Sequence, residues 1–310
     1  MKIYNFAAGP AMLPEAVMKK AQAEFTNYQN SGSGILELSH RGKFFQPVID
    51  RADANVRELM GLTDDYAVMF IQGGASMQFA MLAMNLLNGG TADYVDTGVW
   101  SNKAAKEAKM FGNVNIAASS KESKYDHIPA VDSWKLTPGA AYMHITSNNT
   151  VAGTQYRVFP KVDVPLIADM SSDIMSREIN VNDFGMIYAG AQKNLGPSGM
   201  ALVIMRKDLE ERTPANLPTM LKYSTYSENN SLYNTPPTFA IYLLALVTDW
   251  IKAQGGIKGV EKLNDAKAAK LYDYLDSTEY YTTPVQKDSR SRMNVVWRLP
   301  SEELDAQFVK

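Results

Sequence analysis

The chain of 310 residues has no cysteine. That absence excludes disulfides, thiolate catalysis and Cys-ligated metal. Histidine is scarce: His40, His127 and His144 are the only three, and they lie scattered without metal-ligand spacing. Neither sign of charge prevails, since 31 Lys and Arg against 33 Asp and Glu leave a net charge of −2. Such a balance exerts no global pull toward nucleic acid or a membrane surface. Long apolar runs are missing as well. The most apolar stretch, "FAIYLLALVTDWI" (239–251), is too short to span a bilayer and contains Asp249, so it reads as a buried helix. The opening "MKIYNFAAGPAML" holds no apolar run suited to a signal peptide, and a cytoplasmic location is the expectation. No internal repeat or low-complexity segment breaks the pattern.

What is present is alternation. Short apolar runs read as strands: "AVMFIQ" (67–72), "ADYVD" (92–96), "AYMHIT" (141–146), "VPLIAD" (164–169), "MIYAG" (186–190) and "MALVIM" (200–205). Helix-like runs lie at 14–28, 46–60, 77–87 and 102–111. Strand–helix alternation predicts an α/β fold with a mostly parallel sheet between helices, and ligands in such folds bind beyond the carboxyl ends of the strands. The texture changes near residue 255. A helix-like run at 257–275 precedes "MNVVWRLP" (293–300), which alternates like a half-exposed strand. This predicts a large domain over 15–255 and a smaller α+β domain built from 1–14 and 256–310.

Several strand ends carry chemistry. Lys193 stands between the runs at 186–190 and 200–205, both of which read as buried. Lysines at strand ends are ordinarily solvated, but small neighbours leave room here, and a desolvated lysine becomes a nucleophilic amine suited to Schiff-base chemistry. The run at 67–72 opens into Gly73-Gly74-Ala75-Ser76 and then an apolar helix. Ser76 alone fits an N-cap, while two preceding glycines fit an anion cradle at a helix N-terminus. It is not a Walker A loop. Asp169 closes an apolar run, where a carboxylate needs a partner. It reads either as a cap for the segment "MSSDIMSR" or as the partner of a protonated ring nitrogen. Trp100 reads either as core packing or as a flat surface for a planar cofactor. A phosphate cradle, an aromatic plate, an acid and a lysine together are the parts that pyridoxal phosphate requires.

The segments "NFAAGPAMLP" (5–14), "ELSHRGK" (37–43), "QGGASMQF" (72–79), "ADYVDTGVW" (92–100), "GAQKNLGPSG" (190–199), "YNTPPTFAIY" (233–242) and "SRSRMNV" (289–295) span nearly the whole chain. In them the sequence closely resembles the phosphoserine aminotransferase family, within the fold-type-I pyridoxal-phosphate enzymes. The resemblance implies a seven-stranded type of sheet in the large domain and pyridoxal 5'-phosphate as cofactor. Lys193 matches the lysine that carries the cofactor, Asp169 the partner of the ring nitrogen, Trp100 the stacked ring and Thr150 the threonine near the ring hydroxyl. Ala75, Ser76 and Gln192 match phosphate-cradle positions. Asn234 and Thr235 match a pair that reaches the other subunit's cofactor, which implies a homodimer with shared sites. Arg41 matches an arginine for the anionic end of the substrate, with His40 beside it. Ala8 stands where some members have serine.

The implied reaction is reversible amino transfer from L-glutamate to a phosphorylated 2-oxo acid, 3-phosphohydroxypyruvate, in serine biosynthesis. Members serving pyridoxine biosynthesis use a related oxo acid. A guanidinium at Arg41 suits either second anionic group, phosphate or carboxylate. The family's chains continue past the point where this sequence stops, so on this resemblance the small domain is incomplete at its C-terminal end. The roles of a downstream His-Arg pair and a further arginine are not assigned, although Arg290 and Arg292 are candidates for the last. The competing readings are another cofactor-dependent lyase of the same fold, a cofactor-binding chain without turnover, and a cofactor-free lysine aldolase. A cysteine desulfurase is excluded by composition.

Overall fold

The computed structural model describes residues 4–309. Nine strands and eight α-helices follow one another among them: α1 (Glu15–Glu24), α2 (Gln46–Met60), β1 (Tyr66–Gln72), α3 (Gly74–Leu86), β2 (Thr91–Asp96), α4 (Val99–Ala108), β3 (Asn113–Ser119), β4 (Met143–Thr146), β5 (Asn148–Asn149), β6 (Thr154–Gln155), β7 (Leu166–Asp169), β8 (Met186–Gly190), β9 (Met200–Arg206), α5 (Tyr223–Ser227), α6 (Thr238–Ala253), α7 (Gly256–Asp276) and α8 (Glu302–Val309). Seven strands form one sheet in the order β1-β9-β8-β7-β4-β2-β3, and β5 and β6 form a separate two-stranded ladder. Only β9 runs against its neighbours, being antiparallel to both β1 and β8. The other pairings in the sheet are parallel.

The sheet lies between two helical layers because its strands are apolar on both faces. Val68, Phe70, Ala168, Ile187, Leu202 and Ile204 pack into one core with residues of α1, α2 and α6. Their neighbours Met69, Ile71, Ile167, Tyr188, Val203 and Met205 pack into the other with α3, α4 and α5. Successive side chains on a strand point to opposite faces, so one apolar run feeds both cores. Since β9 alone is reversed, the β8–β9 connection that carries Lys193 sits at the carboxyl end of the parallel strands, beside the ends of β1 and β7.

Some boundaries differ from the sequence reading. Helix α3 begins at Gly74 rather than Met77, with Gly73 as its cap at φ 91°, so Ser76 lies inside the first turn and caps nothing. Helix α4 begins at Val99 rather than Asn102 and takes Trp100 into its first turn. Strand β7 starts after Pro165, which has no N–H for the ladder. Strand β3, half-exposed and at the sheet edge, is absent from the sequence reading. The expected strand at 293–300 is not formed: a strand needs a neighbour, and among the described residues this stretch pairs with another only through an isolated bridge between Thr282 and Arg298.

Candidate active site

Glycine at the end of β1 shapes the first wall. Gly73 (φ 91°) and Gly74 (φ 63°) both occupy the left-handed region. A Cβ on Gly73 would also meet Met77 Cβ at 2.8 Å. The tight turn leaves the N-terminus of α3, with its unpaired N–H groups and positive dipole end, against a cavity of about 400 Å³. Gly73, Gly74, Ala75, Ser76, Trp100, Asp169, Gln192 and Lys193 all line it. The residues selected from separate strand ends therefore meet in one place.

Lys193 is held from three directions. Its Nζ donates to Thr150 Oγ1. The same nitrogen lies 5.3 Å from the centre of the Trp100 ring. The N-terminal segment covers its stem, so that a Cβ on Gly9 would meet Lys193 Cγ at 2.8 Å. Ala11 N pins that segment by donating to Gln192 O at 2.8 Å. Burial lowers the Lys193 pKa, and the negative charges of Asp169 and Asp173 oppose that fall.

Asp169 ends β7 in register with Thr146 of β4. Its Oδ1 accepts from Ser171 N at 2.9 Å and Ser171 Oγ at 2.6 Å. The capping reading is thus half right. Gly190 N donates to Ser171 Oγ at 2.9 Å, so the hydroxyl proton is free to point at Asp169. No donor among the described residues reaches Oδ2. Burial raises the Asp169 pKa, against the two Ser171 bonds and the Lys193 charge.

The run Ser147-Asn148-Asn149-Thr150 braces the opposite wall, and of these only Thr150 has a role implied by the family resemblance. Ser147 N donates to Asp169 O at 2.9 Å. Asn148 Nδ2 donates to Ser172 Oγ and to Asn294 Oδ1, both at 2.8 Å. Asn149 Nδ2 donates to Thr97 Oγ1 at 3.0 Å, just before the helix that carries Trp100. A Cβ on Gly98 would strike Asn149 Oδ1 at 2.9 Å, which explains the glycine. Gly9, Pro10, Thr146, Asn148 and Ser172 also line the cavity, and sequence reasoning gave them no role.

The remaining candidates lie elsewhere. None of His40, Arg41, Asn234 and Thr235 lines the Lys193 cavity. Arg41 Nη2 donates to Tyr233 O at 3.3 Å, so the two segments share one strip of surface. Gln72 Nε2 donates to Thr235 O at 2.9 Å, which ties that strip to the base of the anion cradle. Among the described residues no three His, Asp or Glu side chains gather to hold a metal ion. His144 is fully buried against Tyr188, and burial depresses its pKa to about 3.

Residues 3–310 match the family model for aminotransferase class-V. The chain is 53% identical over 312 residues to the phosphoserine aminotransferase of Niallia circulans, covering 100% of this chain and 86% of that protein. The chain belongs to the class-V aminotransferase family. Among solved structures, the phosphoserine aminotransferase from Bacillus circulans subsp. alkalophilus superposes with a TM-score of 0.97 at 52% identity, over 99% of this chain and 86% of that one. The PLP-bound phosphoserine aminotransferase from Trichomonas vaginalis gives 0.95 at 38% identity, over 99% and 88%. The fold and the pyridoxal-phosphate-dependent enzyme class expected from the sequence follow from this membership.

The residues of this aminotransferase fit that cofactor. Two buried polar atoms, Thr146 Oγ1 and Trp100 Nε1, have no partner among the described residues, and both residues line the cavity. Buried polar groups are rarely left unpaired, and a polar ligand supplies the missing bonds. A helix N-terminus, a free carboxylate oxygen and a desolvated amine match a phosphate, a ring N–H and an aldehyde, respectively.

Proposed function

We propose that this aminotransferase moves an amino group reversibly between L-glutamate and 3-phosphohydroxypyruvate, giving 3-phosphoserine and 2-oxoglutarate. The observation that carries the reading is the convergence of Lys193 and Asp169, from neighbouring strand ends, beside the Trp100 ring. Bound pyridoxal phosphate supplies an amino-group carrier and an electron sink. Lys193 would attach it and would move a proton to or from the substrate Cα. Desolvation favours the neutral amine that both tasks need. The Oδ2 of Asp169 would accept the ring N–H. Trp100 would stack on the cofactor ring, Thr150 would serve the ring hydroxyl, and Ala75, Ser76 and Gln192 with the α3 N-terminus would hold the phosphate. Arg41 and His40 take the anionic end of the substrate.

Asn234, Thr235 and Arg41 share one strip outside their own chain's cavity, which supports a homodimer in which each copy completes the other's site. The division into a large part, 15–255, and a small part, 1–14 with 256–310, belongs to the same reading; residues 1–3 and 310 lie outside those described. A cytoplasmic location, with no membrane or nucleic-acid partner, also remains part of it. Among the described residues no helix is long and apolar enough to cross a membrane.

Two experiments test the proposal. Adding L-glutamate to the cofactor-loaded protein shifts its visible absorption band, and adding the phosphorylated oxo acid restores it; a band that ignores glutamate refutes the assignment. A mixed dimer of a Lys193→Ala chain with an Asn234→Ala/Thr235→Ala chain holds one intact site if residues are shared. No activity in that mixture places each site within one chain.

A further inference from the structure

A second buried acid lies one turn beyond Asp169, and the transfer reaction gives it no part so far. Asp173 is 4% exposed, as is Asp169. Its Oδ1 pairs with the Ser147 hydroxyl. Its Oδ2 accepts from Gln155 Nε2 at 3.0 Å. The Gln155 amide cannot turn over, because its Oε1 accepts from Arg292 N at 3.0 Å. An N–H₂ group therefore faces Asp173 Oδ2, and a hydroxyl able to donate faces Oδ1. That is a setting for the ionised carboxylate.

The acid is also wired to the site. Ser147 joins it to Asp169, because Ser147 N donates to Asp169 O at 2.9 Å while the Ser147 hydroxyl serves Asp173. The charged groups facing Asp173 are Arg177 on its own loop, Asp169 on β7 and Lys193 on the β8–β9 connection. Arg177 gives one N–H each of Nη1 and Nη2 to the Arg157 and Tyr156 carbonyls, and its Nε is buried without a partner among the described residues. Among the described residues it touches no carboxylate, so it answers Asp173 only through space. Burial, with the Asp169 charge, leaves the Asp173 pKa above the ordinary aspartate value, against the pull of the Gln155 and Ser147 bonds and of Arg177.

We propose that Asp173 is a positioning residue for the transfer reaction: a buried negative charge that holds the Asp169 strand end through Ser147 and favours a proton on the nitrogen that joins Lys193 to bound pyridoxal phosphate, as distinct from the free Lys193 amine. This role rests on those proposed for Lys193 and Asp169. A charge that touches no ligand acts through the potential it sets, and in a poorly solvated interior that potential reaches beyond contact distance.

The test reads the pH at which the visible band of bound pyridoxal phosphate titrates. In Asp173→Asn, which removes the charge at constant shape, that pH falls by about half a unit or more, the order expected of one buried charge beyond contact distance. In Ser147→Ala, which withdraws a donor and so favours the protonated acid, it falls in the same direction by less. If Asp173→Asn does not fold, Ser147→Ala decides alone. Variants that titrate where the parent does overturn the proposal, even if they melt earlier or turn over more slowly, since scaffolding alone lowers stability without moving this pH. A parent protein that shows no such band instead refutes the role given to Lys193.

Discussion

Replacing Asp169 by asparagine exchanges one oxygen for an N–H₂ group, and the structure fixes which way the new side chain turns. Gly190 N donates into Ser171 Oγ, so the Ser171 hydroxyl and the Ser171 N–H both point at residue 169. The amide oxygen must take those two donors, and the N–H₂ group then faces the cavity. A donor stands where an acceptor is needed. An opposite charge at contact distance holds a proton by roughly 1–3 pKa units. At about 1.4 kcal/mol per unit the loss is roughly 1.4–4 kcal/mol, and proton abstraction slows by roughly tenfold to a thousandfold.

Stability moves the other way. Burial raises the Asp169 pKa above its ordinary value. The folded state then binds this proton more tightly than the unfolded state, so stability falls as pH rises from the ordinary value to the folded one. At neutral pH the parent carries that deficit and Asp169→Asn does not. Without cofactor, the variant should melt at or above the parent's Tm at neutral pH and lose the advantage below the ordinary aspartate range. Single-turnover mixing with L-glutamate gives the rate, and calorimetry without cofactor gives the Tm. A variant that turns over at the parent's rate, or melts clearly lower at neutral pH, would refute the reasoning.

Lys193→Ala should lower steady-state turnover by several orders of magnitude while leaving far-ultraviolet circular dichroism unchanged, because the side chain points into a cavity rather than a core. Gly73→Ala forces a φ of 91° on a residue with a Cβ and drives it into Met77; cofactor binding should weaken by about tenfold, read by equilibrium titration. Thr146→Val removes a buried hydroxyl that no group among the described residues satisfies, so the cofactor-free protein should gain about 1 kcal/mol, while the stabilisation that the cofactor adds shrinks.

The strands of the central sheet were legible because burial on both faces leaves an uninterrupted apolar run. Where that condition fails, so does the reading. Strand β3, "NVNIAAS", is exposed or half-buried at most positions and carries two asparagines, so it offers neither a run nor clean alternation. The stretch 293–300 alternates well but lacks a neighbour, and alternation cannot reveal a missing partner. Helices α3 and α4 start earlier than expected because glycines precede both, and glycine gives no capping side chain to read. The site divides along the same line. Lys193, Asp169 and Trp100 were found because a lysine, an acid or a tryptophan at a strand end stands out against apolar sequence. Ser147, Asn148, Asn149 and Ser171 did not stand out, since small polar residues abound in loops. Their roles lie in partners brought from 97, 172, 190 and 294 by the fold. In "SNNT" consecutive residues serve different neighbours: Ser147 the acid, Asn148 the segment at 291–294, Asn149 the turn before Trp100, and Thr150 the lysine. A polar run of this kind at a strand end is therefore a junction, and disturbing any one of its members should propagate to a different part of the site.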